Sequence, residues 1–391
     1  MIRVLHFVST PAIWSGVMGV IMNYYRHLDR SEIQFDFLCF LPCEESYEEE
    51  IRTLGGRVFF LPKPGASLQG IRALKTMQKF FKEHTANYAW IHNHEVYMST
   101  LLGHFVAQYG DGTTRLIVHC HATRYSDRRA AVLRNWLLCI PIAHMNCTRL
   151  ACSAAAGRFL YRGFLKGGKT AWILPNTVEQ ERFLFNQKLR IEYQQALGLE
   201  NTFVLGHVGR LVPQKNHLFL LRLFQLVYEK LPQARLLLIG GGEAQRESDM
   251  DKALEHLGLS NVVYRLGNRT DIPGLLQAMD VFLLPSLFEG LPLSCFEAQA
   301  SGLPCLISDQ VSSEVCSSAY VRQLPIRSAQ IWAEECIRLQ KEMKETPEAF
   351  DRTHPQGVKD IAIMTTKLAT LYKGQRISLP SIDWKGRPSK C

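Results

Sequence analysis

Short apolar runs rich in β-branched and aromatic residues recur along the first half of the chain: IRVLHFV (2–8), FDFLCF (35–40), RVFFL (57–61), YAWIH (88–92), RLIVH (115–119) and RLAC (149–152). Helical patterns separate them. Most runs are continuously apolar instead of alternating, which predicts parallel strands covered on both faces. A second series, FVLGHVG (203–209), ARLLLIG (234–240), NVVYRL (261–266), DVFLLP (280–285) and LPCLIS (303–308), repeats that spacing. Together they predict an α/β chain of two doubly wound, Rossmann-like halves. The boundary is expected after LPNTV (174–178), where the strand-like AWIL ends and the polar stretch EQERFLFNQKLRIEYQQALGLEN begins, giving domains at 1–180 and 181–357. A last apolar helical pattern, VKDIAIMTTKLATLY (358–372), suits packing on either half, the first included. The basic, proline- and glycine-broken end KGQRISLPSIDWKGRPSKC (373–391) reads as a surface tail.

At 391 residues the chain exceeds one ordinary core, in keeping with two domains. Its 47% hydrophobic and 21% charged residues describe a globular protein, not a disordered one. The net charge of +9 favours an anionic partner: a nucleotide phosphate, nucleic acid or an anionic membrane surface. Nucleic acid fits poorly, since no basic stripe interleaved with aromatics is present. The stretches RRAAVLRNW (128–136) and RFLYRGFLKGGKTAW (158–172) suit an anionic leaflet, and suit ordinary amphipathic helices equally well. No apolar run approaches the roughly 20 residues that span a bilayer, and MIRVLHFVSTPAIW lacks the signal-peptide pattern. A cytoplasmic protein is therefore expected, with a peripheral position at the inner face of the cell membrane as an option. Eleven cysteines sit in apolar contexts without a CxxC pair, which predicts mostly buried free thiols.

Ligands of open α/β sheets bind beyond the carboxyl ends of strands, so chemistry is sought there. In GHVGRLVPQKN a strand ends at Gly209, and Arg210 and Lys215 precede an apolar helix. Two cations beside a helix N-terminus suit a diphosphate, and two solvated surface cations would read the same way. The three glycines of LLLIGGGEAQRE permit a tight turn and close approach to a ligand, or simply a strand-to-helix turn. In SLFEGLPLSCFEAQASG, Ser294 and Glu297 fit an S-x-x-E capping box, which accounts for Glu297 locally. Glu289 has no such local explanation. His92 with His94, and His119 with His121, alternate along two strand ends and share a face, so zinc is conceivable. His119 reads as a core histidine and His121 as the one nearer a ligand. Glu44, Glu45 and Glu48 to Glu50 read as a solvated helix start.

GRLVPQKN, then LIGGGE, then LGNRTDIPGLLQAMDVFLLPSLFEGLPLSCFEAQASGLPCLISD, in that order and with those gaps, resemble the donor-binding half of a family 4 retaining glycosyltransferase of GT-B fold. EGLPLSCFE matches the family's Glu-x7-Glu motif. TPAIWSGVMGVIMNYYRHLDRSEIQFDFL and RLIVHCHATR resemble members that build exopolysaccharide or capsule. The resemblance spans about residues 1–370 and implies two Rossmann-like domains facing each other across a cleft. It further implies that Arg210 and Lys215 grip the donor diphosphate, that Glu297 accepts from the ribose hydroxyls, and that Glu289 contacts the donor hexose. The amides of Gly290 and Leu291 are implied near sugar and phosphate, and Leu266, Gly267, Asn268 and Arg269 near the nucleobase, largely through backbone. His121 is implied beside the transferred sugar, and Gly16 in a loop that approaches phosphates or acceptor. The first turn reads SGVMG here, where many members carry two adjacent glycines and a glutamate, so the acceptor side is the part expected to differ. The implied reaction moves a hexose from a nucleoside-diphosphate sugar, expected to be UDP-linked, to a hydroxyl acceptor such as a lipid-linked saccharide, with no metal or other cofactor. The alternatives are a non-catalytic sugar-nucleotide-binding subunit, or another GT-B enzyme such as an epimerase or a phosphorylase.

Overall fold

Continuous apolar runs become strands whose two faces are both covered, and the chain builds two parallel sheets from them. The computed structural model describes residues 1–62, 68–126, 129–161, 170–316, 318, 320–353, 359–382 and 388–389. Two units result: Met1–Asn176 together with Ile361–Cys391, and Thr177–Asp360.

In the first unit the strands are β1 (Ile2–Phe7), β2 (Ile33–Cys39), β3 (Val58–Phe60), β4 (Trp90–Asn93), β5 (Arg115–Cys120), β6 (Thr148–Ala151) and β7 (Ala171–Ile173). All seven are parallel, in the order β7-β6-β5-β4-β1-β2-β3. The second unit holds β8 (Phe203–Val208), β9 (Ala234–Ile239), β10 (Val263–Gly267), β11 (Val281–Leu284), β12 (Cys305–Ser308) and β13 (Val321–Leu324), ordered β10-β9-β8-β11-β12-β13. Each sheet reverses its winding once, between β1 and β4 in the first and between β8 and β11 in the second. Loops diverge at such a switch point and leave a crevice beyond the strand ends. Below the crevice of the second unit, Phe203, Leu205, Leu236, Val281 and Leu283 pack with the fully buried Trp332. Seven of the ten described cysteines are buried, and all ten are free thiols.

The end of the chain departs from the expected tail. Ile377, Leu379 and Ile382 are buried. Ser381–Ile382 forms a further strand, β14, antiparallel to β7, and Pro388–Ser389 pairs with it as β15. Alternate apolar positions anchor the segment, and the Pro380 carbonyl accepts from the Ile173 amide at 2.7 Å. The helix Ile361–Tyr372 belongs to the same unit: the Trp90 indole donates to the Tyr372 carbonyl at 2.9 Å. Of the two basic stretches, Arg128 and residues 162–169 lie outside the described residues.

Candidate functional site

The switch point of the second sheet carries most of the residues singled out by sequence. After β8 the chain leaves Arg210 exposed, makes a single 3-10 turn at Pro213–Lys215, and enters the helix His217–Lys230 through Asn216 at φ 56°. After β11 it passes through Ser286 to Glu289. The two loops are tied together. Lys215 Nζ donates to Glu289 Oε1 at 2.7 Å, with the two side chains only 14% and 10% exposed. Gln214 reinforces the tie: its Nε2 donates to the Phe288 carbonyl at 2.9 Å, and its carbonyl accepts from the Leu287 amide at 2.8 Å. Gln214 went unnoticed in sequence because an amide between Pro213 and Lys215 carries no pattern of its own. Gly290 and Leu291 follow, both buried. The geometry thus gathers Arg210, Lys215, Glu289, Gly290 and Leu291 at one switch point.

The glycine turn has a structural purpose. Gly240 has φ +120°, and a Cβ there would sit 2.4 Å from the Gly209 carbonyl oxygen. Only glycine lets the loop after β9 run against the loop after β8. Hydrogen bonds continue the row: Leu211 N to Gly241 O at 2.8 Å and Gly240 N to Gly267 O at 2.7 Å. Asn268 joins it, its Oδ1 accepting from the Gly241 amide at 2.8 Å. Arg269 is held in a fork by Asp271, with Nε–Oδ1 at 2.8 Å. The side chains of Asn268 and Arg269 therefore serve the loops themselves. A groove of about 800 Å³ opens beside this row, bounded by Leu211, Gly240, Glu247, Arg265 and Gly267. It does not reach Lys215 or Glu289.

The capping-box expectation fails. The helix Leu293–Ala300 starts one residue before Ser294, with Pro292 as its N-cap and no side-chain cap. Pro292 has φ −70° and ψ 121°, so the turn ends there and Ser294 is already helical, unable to cap. Glu297 instead points away from that use. Its carboxylate makes no hydrogen bond to a described residue, and burial pushes its pKa up to about 7, opposed only in part by the positive charge of Arg182.

In the first unit, Gly16 opens the helix Gly16–His27 behind Ser15, whose hydroxyl accepts from the Met18 amide at 3.4 Å. A Cβ on Gly16 would meet nothing within 4 Å, so its small size serves no contact inside the chain. At the carboxyl ends of β1, β4 and β5 five imidazoles collect: His6, His92, His94, His119 and His121. Two triads, His6–His92–His94 and His94–His119–His121, place one nitrogen each within 4.8 Å of the others. Several of these nitrogens already face each other at hydrogen-bond distance. His6 was not singled out in sequence, because it sits inside the apolar run IRVLHFV.

The family profile described as "Glycosyl transferases group 1" matches residues 202–342, the span that carries the switch-point loops. EpsF of Bacillus subtilis, which bears a glycosyltransferase name, is 34% identical over 349 residues, 86% of this chain and 87% of its own. The UDP-Gal:α-D-GlcNAc-diphosphoundecaprenol α-1,3-galactosyltransferase of Escherichia coli is 29% identical over 79% of each chain. Among solved structures, Anabaena HepE in complex with UDP and glucose superposes with a TM-score of 0.77 at 16% identity, covering 95% of this chain and all of that one. Its fold, like that of the lipopolysaccharide glycosyltransferase WaaG (TM-score 0.65, 15% identity, 95% of this chain and 100% of that one), is the fold seen here. Two Rossmann-like parallel-sheet domains of GT-B type and a relative 34% identical over most of the chain leave one conclusion: the chain belongs to the group 1 glycosyltransferases and is a transferase enzyme.

Proposed function

We propose that this glycosyltransferase moves a hexose from a UDP-sugar to a hydroxyl of a lipid-diphosphate-linked saccharide in exopolysaccharide or capsule assembly, with retention of configuration and without a metal. The observation that carries the reading is the joined pair of loops at the β8–β11 switch point, where mostly sheltered Lys215 pairs with Glu289 and exposed Arg210 lies on the same loop as Lys215. The names of the Escherichia coli relative and of the Anabaena complex support the donor, and the former supports the acceptor.

In this reading Arg210 and Lys215 hold the diphosphate, whose charge grows as the anomeric bond breaks, so fixed positive charge acts most strongly in the transition state. The amides of Gly290 and Leu291 and the uncapped start of the helix Leu293–Ala300 add donors. Glu289 orients the hexose, His121 takes part in the transfer, and the backbone of 266–269 receives the base. The acceptor oxygen forms its bond to the anomeric carbon on the face the phosphate leaves, and its proton passes to the departing phosphate oxygen. The enzyme would work in the cytoplasm, at the inner face of the cell membrane. No helix among the described residues is long and apolar enough to cross a membrane.

The purified chain, given UDP-hexoses and a polyprenyl-diphosphate-linked hexosamine, should form a glycoside whose anomeric proton coupling matches the donor. An inverted product would refute retention. Addition of EDTA should leave the rate unchanged, and a loss restored by Mg²⁺ would refute the metal-free reading.

Glu297 supplies a pH test. Its folded pKa of about 7 lies above the ordinary 4.5, so the ligand-free protein holds a proton there that the unfolded chain lacks. Stability from this group therefore falls as pH rises through that window. Ribose hydroxyls donate to the ionised form and favour it. UDP should consequently bind about tenfold tighter at about pH 8 than at about pH 6 through this group. Glu297→Gln should lose that part of the slope in calorimetric titration, while the titration of the phosphate is common to both proteins. Equal slopes would remove Glu297 from the ribose.

A further inference from the structure

The five imidazoles at the ends of β1, β4 and β5 form two hydrogen-bonded rows. In the first, His6 Nδ1 faces His94 Nε2 at 3.0 Å, and His94 Nδ1 faces His121 Nε2 at 2.9 Å. In the second, the Tyr372 hydroxyl lies 2.6 Å from His92 Nδ1, and His92 Nε2 lies 3.2 Å from His119 Nδ1. The arrangement follows from sheet order. β4 lies between β1 and β5, so His94 has His6 on one side and His121 on the other. Three buried nitrogens are left without a partner among the described residues: His6 Nε2, His119 Nε2 and His121 Nδ1.

Burial depresses the pKa of all five rings, to about 3 for His6 and His121 and well below the ordinary value for His92, His94 and His119. Each ring therefore carries one N–H and one lone pair. His94 uses both nitrogens, so it must accept from one neighbour and donate to the other, and the whole first row points one way. If it pointed inward, His6 would carry an N–H on Nε2 with no acceptor, in a ring packed against Phe35 and Phe37 at centroid distances of 4.2 and 5.5 Å. Pointed outward, the row leaves its one unpartnered N–H on His121 Nδ1 instead, on a strand-end residue that is only partly buried, where the oxygen of a ligand can accept from it; His6, 1% exposed, has no such recourse. The nearby carboxylate of Asp36 offers no relief, because Arg3, Arg57 and Tyr88 already donate to it. The row thus runs outward, from His6 to His94 to His121. The second row runs the same way: Tyr372, held protonated by burial, donates to His92, which donates to His119.

We propose that His6, His94, His92 and Tyr372 are positioning residues that lock His121 as its Nδ1–H tautomer and His119 as its Nε2–H tautomer. The rings of His119 and His121 stand 4.0 Å apart, centre to centre. Two N–H donors are thereby delivered to one neighbourhood, where they bind an oxygen-bearing ligand: a sugar hydroxyl or a phosphoryl oxygen. Nitrogens protonated in this sense have no lone pair for a metal, and donors in a row polarise one another. The identity of the ligand rests on the glycosyltransferase reading given above. The tautomers do not.

Long-range ¹H–¹⁵N correlation on the full chain labelled with ¹⁵N-histidine reads each tautomer directly. The expected spectrum has His121 protonated at Nδ1 and His119 at Nε2, unchanged by equimolar Zn²⁺. His121 protonated at Nε2, an imidazolium, or a shift of both rings on adding Zn²⁺ would overturn the proposal. His94→Phe keeps a ring but cuts both links. It should release His121 to the Nε2–H form and lower kcat for hexose transfer roughly tenfold, the worth of one hydrogen bond, with KM little changed. His94→Gln, which can accept from His6 and donate to His121, should recover part of that rate. If His94→Gln recovered nothing while folding normally, the role of His94 would be structural only. If the tautomers were as expected and no UDP-hexose were ever used, the function reading would fail and the rows would stand.

Discussion

Arg210→Ala should lower kcat/KM for the UDP-sugar by roughly 10²–10³, the usual cost of removing one fixed charge-stabilising donor, while the melting temperature moves by no more than about 2 °C. Arg210 is exposed and has no ion-pair partner among the described residues, so its loss disturbs nothing but the ligand. Lys215→Ala should lose transfer to a similar degree for a different mixture of reasons. Its ammonium sits 2.7 Å from Glu289 Oε1, in a setting where both side chains are mostly sheltered. Stripping the cation from a sheltered carboxylate costs about 3 kcal/mol, which is roughly 6–12 °C for a domain of this size. A fold left intact by both changes, the simplest expectation from two strand-end cations, is thus replaced by a distinction between them. The double variant Lys215→Ala/Glu289→Ala should regain part of the lost stability and none of the lost activity. Full activity in Arg210→Ala, or a thermal shift in Arg210→Ala as large as that in Lys215→Ala, would sink the diphosphate assignment.

Most of the sheet was legible because burial on both faces writes itself as a continuous apolar run, and β1 to β12 all fall on such runs. β13 was missed. Val321–Leu324 is an edge strand with two exposed residues, so its apolar content does not rise above that of a loop. β14 was hidden for another reason: the buried Ile377, Leu379 and Ser381 alternate, with Ile382 buried after them, within a segment whose proline, glycine and basic residues read as a tail. The Ser294–Glu297 pattern misled because a capping box requires its serine to lie outside the helix, and Pro292 moves the helix start ahead of it. Among the site residues, sequence identified Glu289 but gave no sign that it pairs with Lys215, since the contact spans 74 positions and depends on β11 lying next to β8. The histidines show the same limit. Their alternation marks a shared face within a strand, and only strand order reveals that His94 stands between His6 and His121.

The helix Arg129–Cys139 is built inside out, and this should make the protein bind membranes. It buries Asn135 and Cys139. Toward solvent it turns Leu133 (61% exposed), Leu137 (52%), Trp136 (42%), Leu138 (42%) and Val132 (38%). Asn135 is kept inside by donating to the Tyr125 carbonyl at 2.8 Å. A surface helix of an isolated domain would place these residues the other way round, so the apolar face is suited to a partner that offers hydrocarbon. An anionic leaflet is the occupant that also suits Arg134 on the exposed side and the net charge of +9. Sinking these five exposed apolar side chains into the interface should contribute on the order of 1 kcal/mol each, and each basic residue near the surface about the same. The triple variant Leu133→Ser/Trp136→Ser/Leu137→Ser should therefore bind vesicles of anionic phospholipid roughly 10² times more weakly in sedimentation at low salt. Its melting temperature and its turnover of a short-chain, water-soluble acceptor should stay close to wild type, because none of the three residues is buried. Raised salt should weaken the wild-type protein as well, through the charged share of the attraction alone. Two results would overturn the membrane reading: vesicle binding that the triple variant retains, or a wild-type dimer in the ultracentrifuge that the variant abolishes, which would show that a second copy of the chain covers this face.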